Sequence, residues 1–431
     1  DAKALRFNST LKHTWNSTNN SSLSIIYRDN TMKQNPSYRI DSGADFDSYT
    51  PGQENNNSFN SYGFVAQHNI NLSKVNLSVG SSLDYSPNTY EILETNVYRN
   101  IEGMFDSFSL TGNKLANYAV DIFNLGGYMS AEYNISDKLK LNGGFRLDRF
   151  NYDFINRLGV DANDYKAPNT KNSFTAFTPR LAAIYKFNKN IGLYTNYSNG
   201  FLPPSVGELY RRSDVPLLDP SKFNNYEIGG WFSLFNNKLY IDAATYYLKG
   251  KDEIVSVSIK EGNVRMRENR NVGETEHYGL EYMLKWKAVN NIDLRFSGSY
   301  SKHKYIDFVT KIVDGQVTAN YNGNEMKGAP SWINNAEIKY TPQFLKGLRL
   351  SAEWQHVGEY FTDDANEYTY SGYDIFNSRI GFKKGHWHFW LNVLNVTDKL
   401  YANRANTGWG KTTYTPGAPR TVNLGVEINL Y

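Results

Sequence analysis

The sequence predicts an all-β fold, a transmembrane antiparallel β-barrel, and three observations support this prediction. Aromatic residues make up 15% of the 431 residues, with 33 Tyr, 24 Phe and 8 Trp. Segments of about ten residues alternate between apolar and polar side chains, as a tilted membrane-spanning strand does. Their connections are alternately short and long, which is typical of outer-membrane barrels. A soluble β-sandwich would alternate too, but strand number, connection lengths and aromatic content favour the membrane barrel.

The clearest alternation begins at Thr421, near the end of the chain. Successive side chains of a strand point to opposite faces. The apolar face carries Val422, Leu424, Val426, Ile428 and Leu430, and the polar face carries Asn423, Gly425, Glu427 and Asn429. The segments 139–148 and 239–244 alternate in the same way. We expect the apolar face to contact lipid and the polar face, with Lys140, Arg146, Asp148, Asp242 and Glu427, to point inward.

The alternating connection lengths predict an orientation. Short connections lie at 136–138, 188–190, 236–238, 290–291 and 383–385. Long ones lie near 33–59, 86–116, 155–172, 200–223, 250–275, 305–329, 361–371 and 399–417. Outer-membrane barrels have short periplasmic turns and long outer loops, so we expect Tyr431 on the periplasmic side.

The patterns predict about 17 strands in one barrel domain that spans residues 1–431. Single-chain barrels have even strand numbers, and large barrels with a plugged lumen have about 22. We therefore expect this chain to be the C-terminal part of a barrel of about 22 strands. About five strands and an N-terminal plug are then absent from it or supplied separately.

Composition and motifs exclude several other classes of function. The 46 basic and 43 acidic residues give a net charge of +3, and no basic arm or RNA-binding signature predicts a nucleic-acid partner. Cysteine is absent, which removes thiol catalysis and Cys-ligated zinc. No nucleophile elbow or phosphate loop occurs. We expect no enzyme activity, no cofactor and no metal site. The spacing of His386 and His388 could hold a metal, but the absence of a nearby third ligand in the sequence favours a simple interfacial pair. The loop acids Asp363, Asp364 and Glu367 could bind calcium, but a solvated loop is the preferred interpretation.

Several motifs in the second half occur in the order found in TonB-dependent receptors. The stretch 194–210, with Tyr-Ser-Asn-Gly-Phe followed by two prolines, resembles the mid-barrel signature of this family. The Tyr-Glu-Ile-Gly at 226–229 and the Asn-Val-Gly at 271–273 with Gly279-Leu280-Glu281 are similar to its next motifs. The stretches 392–401 and 416–420 resemble its near-terminal Asn-rich motif and its Pro-Gly-x-Pro-Arg. Most of these residues are expected to serve the architecture, because Gly and Pro suit strand ends.

The resemblance implies an active importer in the outer membrane of a Gram-negative bacterium. A plug, which is not in this sequence, would fill the lumen, and the inner-membrane TonB complex would pull on it. The expected ligand is an iron–siderophore complex, with haem or another chelate as the alternative ligand. The alternative function is a passive channel or structural barrel. Outer-membrane lipid is the remaining expected partner.

We expect ligand contacts on three outer loops. Aromatic rings provide stacking area, and arginine binds carboxylate or phosphate through two hydrogen bonds. The candidate residues are Tyr210, Arg211 and Arg212 on the first loop, Arg265, Arg267 and Arg270 on the second, and Arg404, Trp409 and Lys411 on the last.

Overall fold

The computed structural model describes residues 1–38, 49–100, 104–158, 167–210, 216–408 and 410–429. These ranges contain 23 β-strands and one short helix, α1, at Val206–Tyr210. Strands β1 to β8 are Ala2–Thr14, Asn19–Tyr38, Thr50–Asn71, Val75–Arg99, Phe105–Asn134, Leu139–Asn156, Thr170–Lys186 and Ile191–Leu202. Strands β9 to β12 are Ser221–Leu234, Leu239–Glu261, Val264–Val289 and Ile292–Asp307. No helix in these ranges is long and apolar enough to span a membrane.

The remaining strands are shorter. Five of them continue the series of long strands, namely β15 (Trp332–Tyr340), β16 (Leu348–Val357), β19 (Tyr373–Lys384), β20 (Trp387–Leu394) and β23 (Thr421–Ile428). Three hairpins lie in the connections between them: β13 (Val309–Val313) with β14 (Gln316–Asn320), β17 (Tyr360–Phe361) with β18 (Thr369–Tyr370), and β21 (Ala402–Gly408) with β22 (Lys411–Pro416). Without these hairpins, the described ranges hold 17 strands, which agrees with the sequence-based number.

The chain forms two compact units. Unit 1 comprises Asp1–Tyr133, Asn142–Pro179 and Phe201–Ser221, and unit 2 comprises the rest. In unit 1, β1 to β4 pair antiparallel with their neighbours in sequence, and β4 pairs with β5. In unit 2, the antiparallel pairs run from β9 through β12, β15, β16, β19 and β20 to β23.

The two faces of the strands differ as the alternation predicts. On β6 of unit 1, Phe145 and Leu147 are exposed, whereas the side chains of Arg146 and Asp148 bind each other. The apolar residues of β23 are also exposed, with Leu424 at 77%. An exposed apolar face beside a hydrogen-bonded polar face is the pattern of a strand between lipid and lumen. The predicted transmembrane fold is thereby confirmed for both units.

Glycines on the polar face make room for aromatic rings. A Cβ at Gly80 would overlap the ring of Tyr128, and one at Gly425 would overlap the indole of Trp390. Tyr128 also donates a hydrogen bond of 2.9 Å to Gln67. These rings lie flat against the neighbouring backbone, so glycine is the residue that permits the close approach.

Several connections expected to be long loops are instead extended hairpins. The region 250–275 consists mostly of β10 and β11, which pair as far as Glu261 and Val264. The region 86–116 is mostly β4 and β5. Period-two alternation continues beyond Gly250, and three apolar residues of this part of β10, Val255, Val257 and Ile259, form a small core. A hydrophobic core of its own lets the hairpin persist as strands rather than as a loop.

Candidate functional site

Unit 1 contains a cavity of about 540 Å³ beside the outer parts of β4, β5 and β6. We call it the aromatic pocket. Its aromatic lining consists of Tyr90, Tyr118, Phe154 and Tyr210, and its polar lining of Gln53, Asn117 and Asn156. Small and aliphatic residues complete the wall, namely Ile92, Leu115, Ala116, Ala167, Val206 and Gly207.

The four rings of the aromatic pocket form a continuous row. Tyr90 and Tyr118 are directly paired across β4 and β5, and their ring centroids lie 5.2 Å apart. Tyr118 lies 5.2 Å from Phe154 on β6, and Phe154 is stacked on Tyr210 at 4.3 Å. Rings at these separations attract each other and present a large, rigid apolar surface.

Helix α1 brings Tyr210 to the end of this row. Pro203 and Pro204 follow β8 and cannot donate to a β-ladder. Ser205 and Glu208 then form a reciprocal cap, because the Ser205 amide donates to the Glu208 carboxylate at 2.7 Å and the Glu208 amide to the Ser205 hydroxyl at 3.3 Å. The Tyr210 hydroxyl donates to the Asn172 side chain at 2.7 Å. Capping and this bond fix the position of the ring.

The aromatic pocket carries no charge on its described lining, which contains no Asp, Glu, Lys, Arg or His. Burial raises the pKa of Tyr118 to about 12. Burial, followed by the neighbouring Tyr152 and Asp153, also raises the pKa of Tyr210. Both phenols are therefore neutral at physiological pH. Such a surface suits rings and uncharged amide or hydroxyl groups of a ligand rather than a bare ion.

Of the ligand-contact residues predicted on the first outer loop, Tyr210 lines the aromatic pocket and is 5% exposed. Arg211, Arg212 and Trp409 lie outside the described residues. The sequence did not point to Tyr90, Tyr118 or Phe154, because they come from three strands of an aromatic-rich chain. The register between β4 and β5 is what brings the first two together.

The second predicted group lies on the outer hairpin of unit 2. Arg265 is opposite Lys260 and Arg267 is opposite Ser258, which is itself beside Lys311 of β13. These residues share one face, because paired residues point to the same side of a sheet. We call Lys260, Arg265, Arg267 and Lys311 the cationic face. Arg270 points to the other side, where Glu268 binds it at 2.7 Å.

Arg404 and Lys411 lie on the β21–β22 hairpin, where both are exposed. The hairpin is held by its neighbours, since the Ala405 amide donates to the Tyr360 hydroxyl at 3.0 Å and the hydroxyls of Thr362 and Thr407 are 2.6 Å apart. The side chains of Arg404 and Lys411 are therefore exposed on a hairpin whose position is fixed by hydrogen bonds.

The near-terminal motif residues act in the architecture, as expected. Asn395 is 2% exposed, and its side-chain amide donates to the carbonyls of Lys399 and Ala418 at 2.9 and 3.1 Å. Its carbonyl oxygen accepts from the Lys399 amide at 2.9 Å. Asp398 accepts from the backbone amide of Arg420 at 2.8 Å. The two motifs thus tie the start and the end of one connection together.

The loop acids Asp363 and Asp364 serve the fold as well. Asp364 accepts from the Tyr305 hydroxyl and from the Lys327 ammonium, both at 2.8 Å. Asp363 accepts from the Tyr368 amide at 2.9 Å. Within the ranges that the structure describes, no group of three or more His, Asp or Glu residues is placed to share a metal ion.

Comparison with known proteins places this architecture in context. Residues 1–396 match the family model described as TonB dependent receptor-like, beta-barrel. The metal-pseudopaline receptor of Pseudomonas aeruginosa is 22% identical over 319 residues, which are 69% of this chain and 40% of that receptor. The ferrioxamine B receptor of Salmonella typhimurium is 22% identical over 293 residues, 65% of this chain and 37% of that receptor. The chain thus spans about two fifths of the length of these relatives.

A solved structure shares the fold. The siderophore receptor PiuA from Acinetobacter baumannii matches with a TM-score of 0.72 at 18% identity. The match covers 99% of this chain and 64% of that one. At this identity the likeness concerns the fold alone.

Proposed function

Since the chain belongs to the family of TonB-dependent receptor-like β-barrels, we propose that it is the barrel part of an outer-membrane receptor that imports an iron–siderophore complex. Members of this family lie in the bacterial outer membrane, and that location applies to this chain. The observation that carries the ligand class is the aromatic pocket. Its volume of about 540 Å³ lies within the ~300–1,000 Å³ range of small-molecule sites.

The lining of the pocket supports a chelate rather than haem. Rings in a row can stack on the aryl or flat amide groups of an organic chelator, and the side-chain amides can hydrogen-bond to its oxygens. A haem site commonly supplies an axial ligand to the iron, most often a His. The described lining holds no His. The chelator, rather than the protein, would therefore hold the iron.

The cationic side chains predicted on the outer loops form the second part of the proposal. Arg265 and Arg267 lie directly or diagonally across from Lys260, and no ion pair is seen for them among the described residues. Like charges that face each other repel, and a bound anion relieves that repulsion. We propose that these arginines, with the exposed Arg404 and Lys411, attract the anionic groups of a ferric chelate, and that Tyr210 contacts the bound ligand. Arg211, Arg212 and Trp409 remain candidates from the sequence alone.

Energised transport would need the inner-membrane TonB complex and a plug, both of which the family membership suggests. The polar face of the strands offers partners for such a plug. Arg28 binds Asp84 at 2.7 Å and Arg146 binds the buried Asp148 at 2.6 Å, and both arginines are partly exposed on this face. A passive channel is the competing function, and it would need neither a specific ligand nor TonB.

The experiment measures binding of a panel of ferric siderophores, haem and iron-free chelators to the purified protein in detergent. We expect saturable binding of at least one ferric siderophore, and about tenfold weaker binding by Tyr118→Leu, equivalent to ~1.4 kcal/mol. The matched control is Tyr62→Leu, since the Tyr62 side chain is exposed and does not line the aromatic pocket.

Import is tested by growth, on single iron sources, of a strain that lacks the gene. Unimpaired growth on every source, together with no saturable binding, would refute the proposal.

A further inference from the structure

Two histidines of unit 2 face each other across neighbouring strands. His277 of β11 is directly paired with His303 of β12, and their Nδ1 atoms lie 2.7 Å apart. Both side chains are partly buried on the polar face of the hairpin. Neither belongs to the aromatic pocket or to the cationic face.

A hydrogen-bond relay fixes the proton positions on this pair. The Thr275 hydroxyl contacts the Glu253 carboxylate, which accepts only, so the hydroxyl donates to it. The same oxygen lies 3.0 Å from His277 Nε2 and must accept there, which places the ring proton of neutral His277 on Nε2. His277 Nδ1 therefore carries a lone pair that points at His303.

The backbone is shaped to hold the relay. The register between β10 and β11 shifts from Gly250 to Glu253, and Asp252 has a φ of 57°. Such a bulge turns a side chain out of its regular direction. A Cβ at Gly250 would overlap both the Glu253 carboxylate and the Thr275 hydroxyl, so glycine makes room for their contact. The buried Thr275, 2% exposed, leaves the relay little freedom.

This arrangement is that of a metal-binding histidine with its supporting residues. A ligating imidazole usually donates its second N–H to an oxygen partner, which fixes the tautomer and the ring orientation. His277 meets this condition through Thr275 and Glu253. We propose that His277 and His303 bind a divalent late transition metal ion through their Nδ1 atoms, with water at the other positions. The ion takes the place of the proton on His303 Nδ1, and this proton moves through solvent to Nε2 of the same ring, so both imidazoles remain neutral ligands.

The nitrogen separation indicates which ion is preferred. With metal–nitrogen distances of about 2.0 Å, two donors 2.7 Å apart subtend an angle of roughly 85°. That angle suits two adjacent corners of a square-planar or tetragonal site, which Cu²⁺ and Ni²⁺ adopt, better than a tetrahedral zinc site. Cu²⁺ also has the highest affinity for nitrogen donors in the divalent series. We therefore expect Cu²⁺ to bind more tightly than Zn²⁺.

The test uses the full-length protein, purified in detergent through a tag without histidine, and Cu²⁺ alone as the probe. Equilibrium dialysis gives the number of tight sites, and electron paramagnetic resonance gives the number of nitrogen ligands. We expect one tight site with two nitrogen donors, and its loss in His277→Ala and in His303→Ala. The matched control is His356→Ala, because His356 is bound to Asp374 at 2.8 Å outside the pair.

A second set of measurements tests whether Thr275 orients His277 for metal binding rather than merely supporting the fold. Thr275→Val keeps both imidazoles but removes the relay, so Cu²⁺ affinity should fall by about tenfold or more, and Thr275→Ser should restore it. In the unaltered protein, Cu²⁺ should protect His277 and His303 from acylation by diethylpyrocarbonate, read by peptide mass. A tight site that persists when His277→Ala and His303→Ala are combined in one protein would overturn the proposal. The absence of any tight site and of protection in the unaltered protein would overturn it as well. Neither result bears on the siderophore assignment.

Discussion

The ring of Tyr210 is stacked on the ring of Phe154, with centroids 4.3 Å apart and planes inclined by 15°. The contact joins the helix that follows the Tyr-Ser-x-Gly-Phe motif to strand β6 of the same unit. Both residues are nearly inaccessible, at 5% and 2% exposure. The wall of the aromatic pocket therefore depends on packing between two parts of the chain that are more than fifty residues apart.

Replacement of Phe154 by Ala should destabilise unit 1. Removing a buried Phe side chain costs about 3–5 kcal/mol, because transfer energy is lost and a cavity remains. The measurement is urea-induced unfolding in detergent. Phe177→Ala serves as the control, since Phe177 is 56% exposed and detergent replaces much of its environment. Equal destabilisation by the two variants would show that the packing of Phe154 among the rings of the aromatic pocket does not contribute specially to the stability of unit 1.

Ligand binding at the aromatic pocket should not depend on pH between about 6 and 9. The described lining has no acid, lysine or histidine, and the pKa of Tyr118 is raised to about 12.

The raised pKa of Tyr118 also concerns the stability of the folded protein. A phenol whose folded-state pKa lies above its unfolded value of ~10 stabilises the folded protein below pH 10. That contribution is lost only as the pH rises through about 12.

The measurement is the dissociation constant of one siderophore whose own charge is constant over this range. A tenfold change between pH 6 and 8 would mean that an ionisable group contacts the ligand. In that case the uncharged pocket would not be its principal site.

The cationic face should accelerate capture of anionic ligands at low salt. We expect the double variant Arg265→Gln and Arg267→Gln to lower the association rate several-fold at low ionic strength, with little effect on dissociation. The difference should vanish near 1 M salt, where the Debye length is about 3 Å. Stopped-flow fluorescence gives both rates.

The control for this effect is Lys189→Gln, which removes a cation from the short connection 188–190. Its association rate should match that of the unaltered protein. If the control lowers the rate as much per charge removed, overall charge rather than the cationic face accounts for the effect.

Asn395→Ala should loosen the connection between β20 and β23. The change leaves the Lys399 amide and the carbonyls of Lys399 and Ala418 without their partner, and each unsatisfied buried group costs about 1–3 kcal/mol. Asn392→Ala is the comparison within the same motif, because Asn392 lies in the regular ladder opposite Arg379 and Asn423. Limited proteolysis should cut Asn395→Ala faster. The same cleavage rate in both variants would contradict the structural role of Asn395.

Much of the fold could be predicted because a strand between lipid and a polar face must alternate. The apolar series from Val422 to Ile428 and the pair Arg146 and Asp148 follow directly from this constraint. The extent of the outer hairpins could not be predicted in the same way. Alternation in β10 continues beyond Gly250 because Val255, Val257 and Ile259 pack on Phe308 and Ile312, which come from a later connection.

The candidate sites were predictable only in part. Arg265, Arg267 and Arg270 could be grouped on one hairpin from their spacing, but the register places Arg265 and Arg267 on one face and Arg270 on the other. Tyr90 and Tyr118 could not be paired without the register of β4 and β5. The same holds for His277 and His303, which are 26 residues apart in sequence and are brought together by the register of β11 and β12.

The tip of the β10–β11 hairpin offers a place to extend the polypeptide without disturbing either unit. Gly262 lies between the last paired residues, Glu261 and Val264, has a φ of 56° and has open space where a Cβ would lie, and its amide donates to the Asp314 carboxylate at 2.8 Å. Exposed turns of this kind tolerate added residues because few contacts are broken. A short epitope inserted after Gly262 should leave the ladder intact and be readable by antibody on whole cells. It would give a direct marker of surface display that requires no knowledge of the cargo.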